Sequence, residues 1–267
     1  MNKPLFLSTL KSRYILILLI SAFLLMYSVI IISMFDPGDA ESSQTLLETM
    51  PEDFNKAFSF EIIQPTLAGL LAGIMYSLPY MIFMIAYTLI IANSLIARIV
   101  ERGSIACYLA TPVSRTRVVI SRASVLILGE VVIVFLLTLV SILAARGMHG
   151  SGTLDIRLFI LVNCMGFCLF LLVGAYSFLF SCIFNEEKYS LLCSAGLTFL
   201  LYIINTIGNI NDELSTLKKI SPFGYFQPTD IVKGDFEILL PAVLFILIST
   251  VIYTLSMVIF NKRDLSL

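Results

Sequence analysis

The sequence predicts an all-α polytopic membrane protein. It has six transmembrane helices, both termini cytosolic, and a short amphipathic cytosolic helix between spans two and three. Three observations carry this prediction. Hydrophobic residues make up 58% of the 267, and charged residues only 13%, against roughly 25% in a soluble domain. A soluble surface built from so little charge would expose large apolar patches. The charges also fall in clusters, and the gaps between clusters match a membrane crossing of about 20 apolar residues. Finally, lysine and arginine are unequally shared between alternate loops, which sets the orientation. The same composition excludes a disordered chain. A net charge of −1 gives no general attraction to nucleic acid.

Residues 1–13 are read as a cytosolic interfacial segment, in which Leu5, Phe6, Leu7 and Leu10 alternate with Lys3, Lys11 and Arg13. They form either a short helix in the membrane interface or a basic topogenic tail. Arg13 to Asp36 encloses the first apolar run, which places a span at 14–35. That run is too long for a signal-peptide core, and no small-residue cleavage site follows it. Residues 36–66 form an acidic exterior loop. The second span, 67–97, begins just after Pro65 and contains Pro79, which predicts a kink. Arg122 to Arg146 encloses the third span, 123–145, interrupted only by Glu130. The fourth, fifth and sixth spans are placed at 158–184, 189–210 and 239–260, with an exterior loop at 211–238. The chain is one transmembrane domain. β-Barrel strands would be shorter and would alternate in polarity.

With the N terminus inside, the cytosolic segments hold eleven of the seventeen basic residues, among them Arg98, Arg102, Arg115, Arg117 and Arg122. None of the five cysteines falls in the two long exterior loops, so a disulfide framework is not expected. Cys164 and Cys168 are spaced i, i+4, but two thiols without other soft ligands make a poor metal site. His149 is the single histidine, which argues against a Ser-His-Asp hydrolase or a histidine-rich metal centre.

The most informative stretch is 98–122, RIVERGSIACYLATPVSRTRVVISR. Ile99, Val100, Ile105, Ala106 and Leu109 have helical spacing. Pro112 should end that helix by Thr111, and Ser114 can cap the helix that re-enters the membrane. An apolar stripe on a cytosolic helix needs a partner surface.

Glu101, Arg102, Gly103, Ile105, Leu109, Pro112, Val113, Ser114 and Arg115 closely resemble the signature of ABC-2-type transporter permeases, the membrane subunits of many bacterial ABC exporters. The stretch Ile220 to Phe236, ISPFGYFQPTDIVKGDF, is similar to a loop of many such permeases, and Phe260 to Leu265 resembles the family's ending. The resemblance implies that 98–117 is a coupling segment docking on a separate ATPase subunit. Glu101 would contact that ATPase or the neighbouring cytosolic helices, with Arg102 beside it. Gly103 would allow close backbone approach, and Ile105 and Leu109 would fill a groove. Pro112 and Ser114 would fix the turn. Arg115 would anchor the foot of the third span or pair with acidic residues or lipid phosphates. For Arg117 and Arg122 the positive-inside rule is a sufficient explanation.

No Gly-Lys dipeptide occurs in the chain, so no phosphate-binding loop is present. No cofactor is expected on this chain. ATP and magnesium would belong to partner ABC ATPase subunits. A second permease subunit, in a homodimer or heterodimer, and membrane lipid complete the expected partners; nucleic acid is not among them. The expected location is the cell membrane of a bacterium, and the expected cargo a peptide, antibiotic, lipid or other amphiphile.

Two further features concern the membrane interior. Gly69 and Gly73 form a GxxxG pair in the second span, which serves either a dimer contact or packing within the subunit. The resemblance places the second and fifth spans at the subunit interface. Glu130 lies eight residues past Arg122, about 12 Å deep at 1.5 Å per residue. A carboxylate there is costly. It is a pathway or gating residue, or a protonated side chain bonded to a neighbouring helix, with Asn163 and Asn205 as candidate partners. An intramembrane enzyme would need further catalytic groups at that depth, and neither Gly-x-Ser-x-Gly nor His-Glu-x-x-His occurs. A non-transporting membrane partner, such as an immunity or sensor protein that keeps the fold, shares every feature named here.

Overall fold

The computed structural model describes residues 3–35, 55, 66–103, 114–150, 152–210, 212–234 and 238–263. The described chain is all-helical, and six of its helices are long and apolar enough to cross a membrane.

Helix α1, Lys3–Met34, is continuous through the first span. At 1.5 Å per residue its 32 residues reach about 48 Å, well beyond the roughly 30 Å hydrocarbon core. Residues 3–13 therefore continue the helix of the first span rather than forming a separate one, with Leu5 and Thr9 buried against the chain.

The second span is built in pieces. Thr66 caps α2, Leu67–Leu70, by accepting the Gly69 amide at 3.1 Å. A π turn, Leu71–Met75, follows. Pro79 has no amide to continue the ladder and becomes the first residue of α3, Pro79–Leu95. The Ser77 hydroxyl donates to the Gly73 carbonyl at 2.6 Å, satisfying one acceptor at this bend. A second break at Ile96 separates α3 from α4, Ala97–Glu101.

Helix α5, Arg115–His149, carries the third span, and α6, Ile156–Ile183, the fourth. Asp155 caps α6 by accepting the Arg157 and Leu158 amides. Helix α7, Glu187–Ile210, is the fifth span. Two 3-10 turns, Asp212–Lys219 and Pro222–Tyr225, lead into α8, Pro228–Lys233, and then α9, Leu239–Lys262, the sixth span.

Helices α3 and α6 form the buried centre. Helix α1 packs on α5, and α9 on α6. At the end of the bundle away from the termini, Ser28 and Ser141 share a hydrogen bond of 2.6 Å. There His149 Nε2 also bonds the Ile32 carbonyl at 2.6 Å. Tyr76, Tyr80, Phe159, Phe170 and Phe226 form an aromatic cluster with centroids 5.0–6.2 Å apart. Through Phe226 and the buried Phe223, the 220–234 segment is packed into the bundle.

The polarity pattern suits lipid as solvent. Leu192, Leu239 and Val251 are exposed, whereas Ser177, Ser181, Ser190 and Ser194 are fully buried. In lipid, exposing leucine costs nothing, and helices associate through small residues and interhelical hydrogen bonds. Helix α7 shows this most plainly. Its buried residues are Ser190, Ser194, Thr198 and Gly208, and the first three recur every four residues on one face. The four described cysteines are free, and among the described residues no His/Cys/Asp/Glu group could hold a metal ion.

Candidate functional site

The end of the bundle that carries Lys3 and Arg263 holds the described parts of the predicted coupling segment, 98–103 and 114–117. Its geometry is set by the break at Ile96, whose backbone lies at φ −120°, ψ −60°. No proline or glycine causes that break. The Ser181 hydroxyl, from α6, inserts into the helix ladder: it accepts the Ala97 amide at 2.9 Å and donates to the Asn93 carbonyl at 3.3 Å. A side chain inserted between an amide and the carbonyl four residues earlier bends a helix. Two arginines then take the carbonyls released nearby. Arg122 Nη1 from α5 donates to Leu95 O at 2.7 Å, and Arg13 Nη2 from α1 donates to Ser94 O at 3.2 Å. Three helices thus satisfy the broken end of α3.

Beyond the break, α4 is fastened to the start of α7. Arg98 Nε pairs with Glu187 Oε2 at 2.6 Å, and Glu101 Oε2 accepts the Glu187 amide at 2.9 Å. One turn deeper, Asn93 Nδ2 donates to Ser194 Oγ at 2.9 Å, and its Oδ1 accepts from Ser190. Tyr176 and Thr198 extend the same seam at 2.7 Å.

The chain's C-terminal end closes the opposite side. Arg115 Nη1 donates to the Arg263 carbonyl at 2.8 Å, and Asn261 Nδ2 donates to Thr116 Oγ1 at 2.9 Å. Arg263 in turn donates to the Cys182 carbonyl at 2.7 Å and to the Asn185 side chain. The feet of α5, α6 and α9 are therefore tied together where the chain leaves α4 and re-enters as α5.

Deeper in the bundle, Glu130 is fully buried, and neither carboxyl oxygen has a hydrogen-bond partner among the described residues. Gly174 of α6 makes room for it. A Cβ at that position would lie 2.9 Å from Glu130 Oε1 and 3.1 Å from the Tyr253 hydroxyl, which is also unpartnered. Three helices meet here around the Glu130 carboxyl group and the Tyr253 phenol. A family model for ABC-2 family transporter proteins matches residues 6–265, nearly the whole chain.

The chain belongs to the ABC-2 transporter family. No curated protein matches it significantly. Membership makes this ABC-2 protein a transporter membrane component, and the six long apolar helices make it a multi-pass membrane protein.

The predicted residues of the ABC-2 chain that are described fall in separate places. Glu101, Arg102 and Gly103 are exposed at the end of α4, with Gly103 in the left-handed region at φ 66° that favours glycine. Ile105, Leu109 and Pro112 lie outside the described residues, as do Cys107 and most of the 36–66 loop. Ser114 occupies the N-cap position of α5, but its hydroxyl makes no capping bond; its carbonyl accepts from Arg117 and Val118 instead. Arg115 bonds a backbone carbonyl rather than a carboxylate. Gly69 and Gly73 are buried within this chain. Neither suggested asparagine bonds Glu130: Asn163 donates to the Phe159 carbonyl of its own helix, and Asn205 lines a cavity near Lys218.

Arg122 has a structural part beyond the positive-inside rule: the residue is 3% exposed and holds the end of α3. Arg117, given the same explanation, is exposed. Sequence reasoning also missed Arg13, Asn93, Ser181 and Gly174 as members of these clusters. The signal available for Asn93 was an amide in an apolar run with serines at i, i+4 spacing elsewhere.

Proposed function

We propose that this chain is the permease subunit of a bacterial ABC exporter, lies in the cytoplasmic membrane with both termini inside, and forms the translocation pathway with a second permease subunit. It is driven by separate ATPase subunits that dock on the 98–117 segment. The observation that carries this reading is the match of the ABC-2 family model to residues 6–265. The fastening of α4 supports it mechanically. A load applied to the segment after Glu101 passes through Arg98 and Glu101 to α7, and through the Ile96 break to α1, α5 and α6. Such a junction moves helices on both sides together. ATP binding on a partner would then bias two arrangements of the bundle. The cargo, which the resemblance to ABC-2 exporters implies, is a peptide, an antibiotic, a lipid or another amphiphile.

The test is co-purification. The chain, tagged and extracted gently from native membranes, should bring down a soluble ATPase with a phosphate-binding loop. Leu109→Asp should abolish that recovery, and Glu101→Ala should reduce ATP-driven transport, both with insertion intact. An intact, folded chain that recovers no ATPase would overturn the reading. Unchanged recovery and transport with both variants would overturn the coupling role of 98–117.

A further inference from the structure

We propose that the cavity around Lys218, at the end of the bundle away from the termini, binds a phosphate-type oxyanion. The cavity has a volume of about 130 Å³ and is lined by Asn205, Asn209, Lys218, Gln227, Thr229 and Asp230 over a wall formed by Phe223 and Phe226. That space admits a phosphate group with water beside it, since water occupies about 30 Å³ per molecule in the liquid.

The charge balance selects an anion. Asp230 Oδ1 accepts from Lys233 Nζ at 3.1 Å, so its charge is already met. Among the described residues no carboxylate pairs with Lys218. Among the described residues the lining therefore holds one lysine that no carboxylate pairs, together with the amides of Asn205 and Gln227 and the hydroxyl of Thr229. Charge-assisted hydrogen bonds to phosphate oxygens suit this donor set.

Lys218 is also held in place by the fold. A Cβ at Gly224 would lie 2.1 Å from the Lys218 carbonyl oxygen, and one at Gly208 would lie 2.9 Å from Lys218 Cγ and 3.2 Å from its backbone nitrogen. The lysine is clamped between two positions that only glycine can fill without displacing it. A freely solvated surface lysine needs no such clamp. Two sources could supply the oxyanion: the headgroup of an anionic lipid in the adjoining leaflet, or a free phosphate.

The test uses the full chain in nanodiscs with two probes. One is phosphatidylglycerol in a phosphatidylcholine background; the other is inorganic phosphate. Bound phosphatidylglycerol is counted by native mass spectrometry, and phosphate binding is measured by equilibrium dialysis. Lys218→Gln should weaken the response by about tenfold, the loss expected for one charged hydrogen bond. Lys218→Arg should retain it. Lys219→Gln removes the same charge from an exposed position outside the lining and should leave it unchanged. A response to phosphatidylglycerol alone identifies a lipid site, and a response to both probes identifies a site for the free anion as well. Equal binding by the native chain and Lys218→Gln would overturn the proposal. An equal loss in Lys219→Gln would also overturn it, because the effect would then be general surface charge.

Discussion

The Ser181 hydroxyl accepts the Ala97 amide at 2.9 Å and returns a hydrogen bond to the Asn93 carbonyl at 3.3 Å, so one side chain of α6 replaces a rung of the second span's helical ladder. The pair it separates is the amide and carbonyl that an unbroken helix would join directly. Ser181→Ala removes the bridge and leaves a buried amide without its partner. Such a loss costs about 1–3 kcal/mol, and the expected result lies near the lower bound because the two backbone groups can partly re-pair. Hydrogen exchange of the Ala97–Glu101 peptide should accelerate relative to the rest of α3. Unchanged protection there would show that the hydroxyl does not hold the break.

Two arginines of α5, one at the same break and one outside it, separate structural from topogenic charge. Arg122 is buried and bonds Leu95 O, whereas Arg117, little more than a turn earlier on α5, is exposed. Arg122→Gln should destabilise the bundle by about 2 kcal/mol, the scale of a hydrogen bond from a charged donor. Arg117→Gln should stay within about 0.5 kcal/mol, as surface substitutions do. Equilibrium unfolding in mixed micelles, followed by circular dichroism, measures both. Equal effects would return Arg122 to a purely topogenic role.

These two arginines also mark how far the sequence could be read. The spans were legible because lysine, arginine, aspartate and glutamate punctuate runs of about 20 apolar residues, a pattern the bilayer itself imposes. The bend before α3 was legible from Pro79, because proline acts through its own chemistry. The break at Ile96 was not, because its causes are remote in sequence. Ser181 and Arg122 lie on other helices, and helical spacing gives the face a residue occupies without naming its partner. Glu130 stood out as a charge in an apolar run, but the space beside it depends on Gly174, forty-four residues later. Ser114 was placed correctly at a helix start. Whether its hydroxyl turned toward the helix amides was a rotamer question that its spacing did not contain.

The α7 seam gives a prediction about steric fit. Ser190, Ser194 and Thr198 face α3 and α6, and Ser194 is bonded to Asn93. Ser194→Leu puts a large side chain where a hydroxyl sits in contact, so overpacking should cost about 1–3 kcal/mol. Asn93→Leu should cost less, about 1 kcal/mol, because interhelical hydrogen bonds in membranes are individually modest and both serines can bond their own helix. The order of the two effects is the test, read from the same unfolding measurement. A larger effect for Asn93→Leu would mean that hydrogen bonding, not close approach, holds α7.

The contact between Glu130 and Gly174 can be tested by combining substitutions. Gly174→Ala places a methyl group 2.9 Å from Glu130 Oε1 and 3.1 Å from the Tyr253 hydroxyl, too close without movement of α6. The expected cost is about 1–3 kcal/mol. Glu130→Ala removes the nearer obstacle, so the cost of Gly174→Ala should fall in that background, with a coupling of about 1 kcal/mol. Glu130→Gln keeps the shape and should not relieve the clash. It also separates the two roles open to the carboxyl group. An unpaired ion at full burial would cost several kcal/mol, so a side chain that carries no charge should tolerate Gln within about 0.5 kcal/mol, while a charged one should gain stability from it. If Glu130→Gln leaves stability unchanged and still lowers ATP-driven transport, the group acts in the transport cycle. If stability and transport are both unchanged, its part is confined to packing against Gly174 and Tyr253.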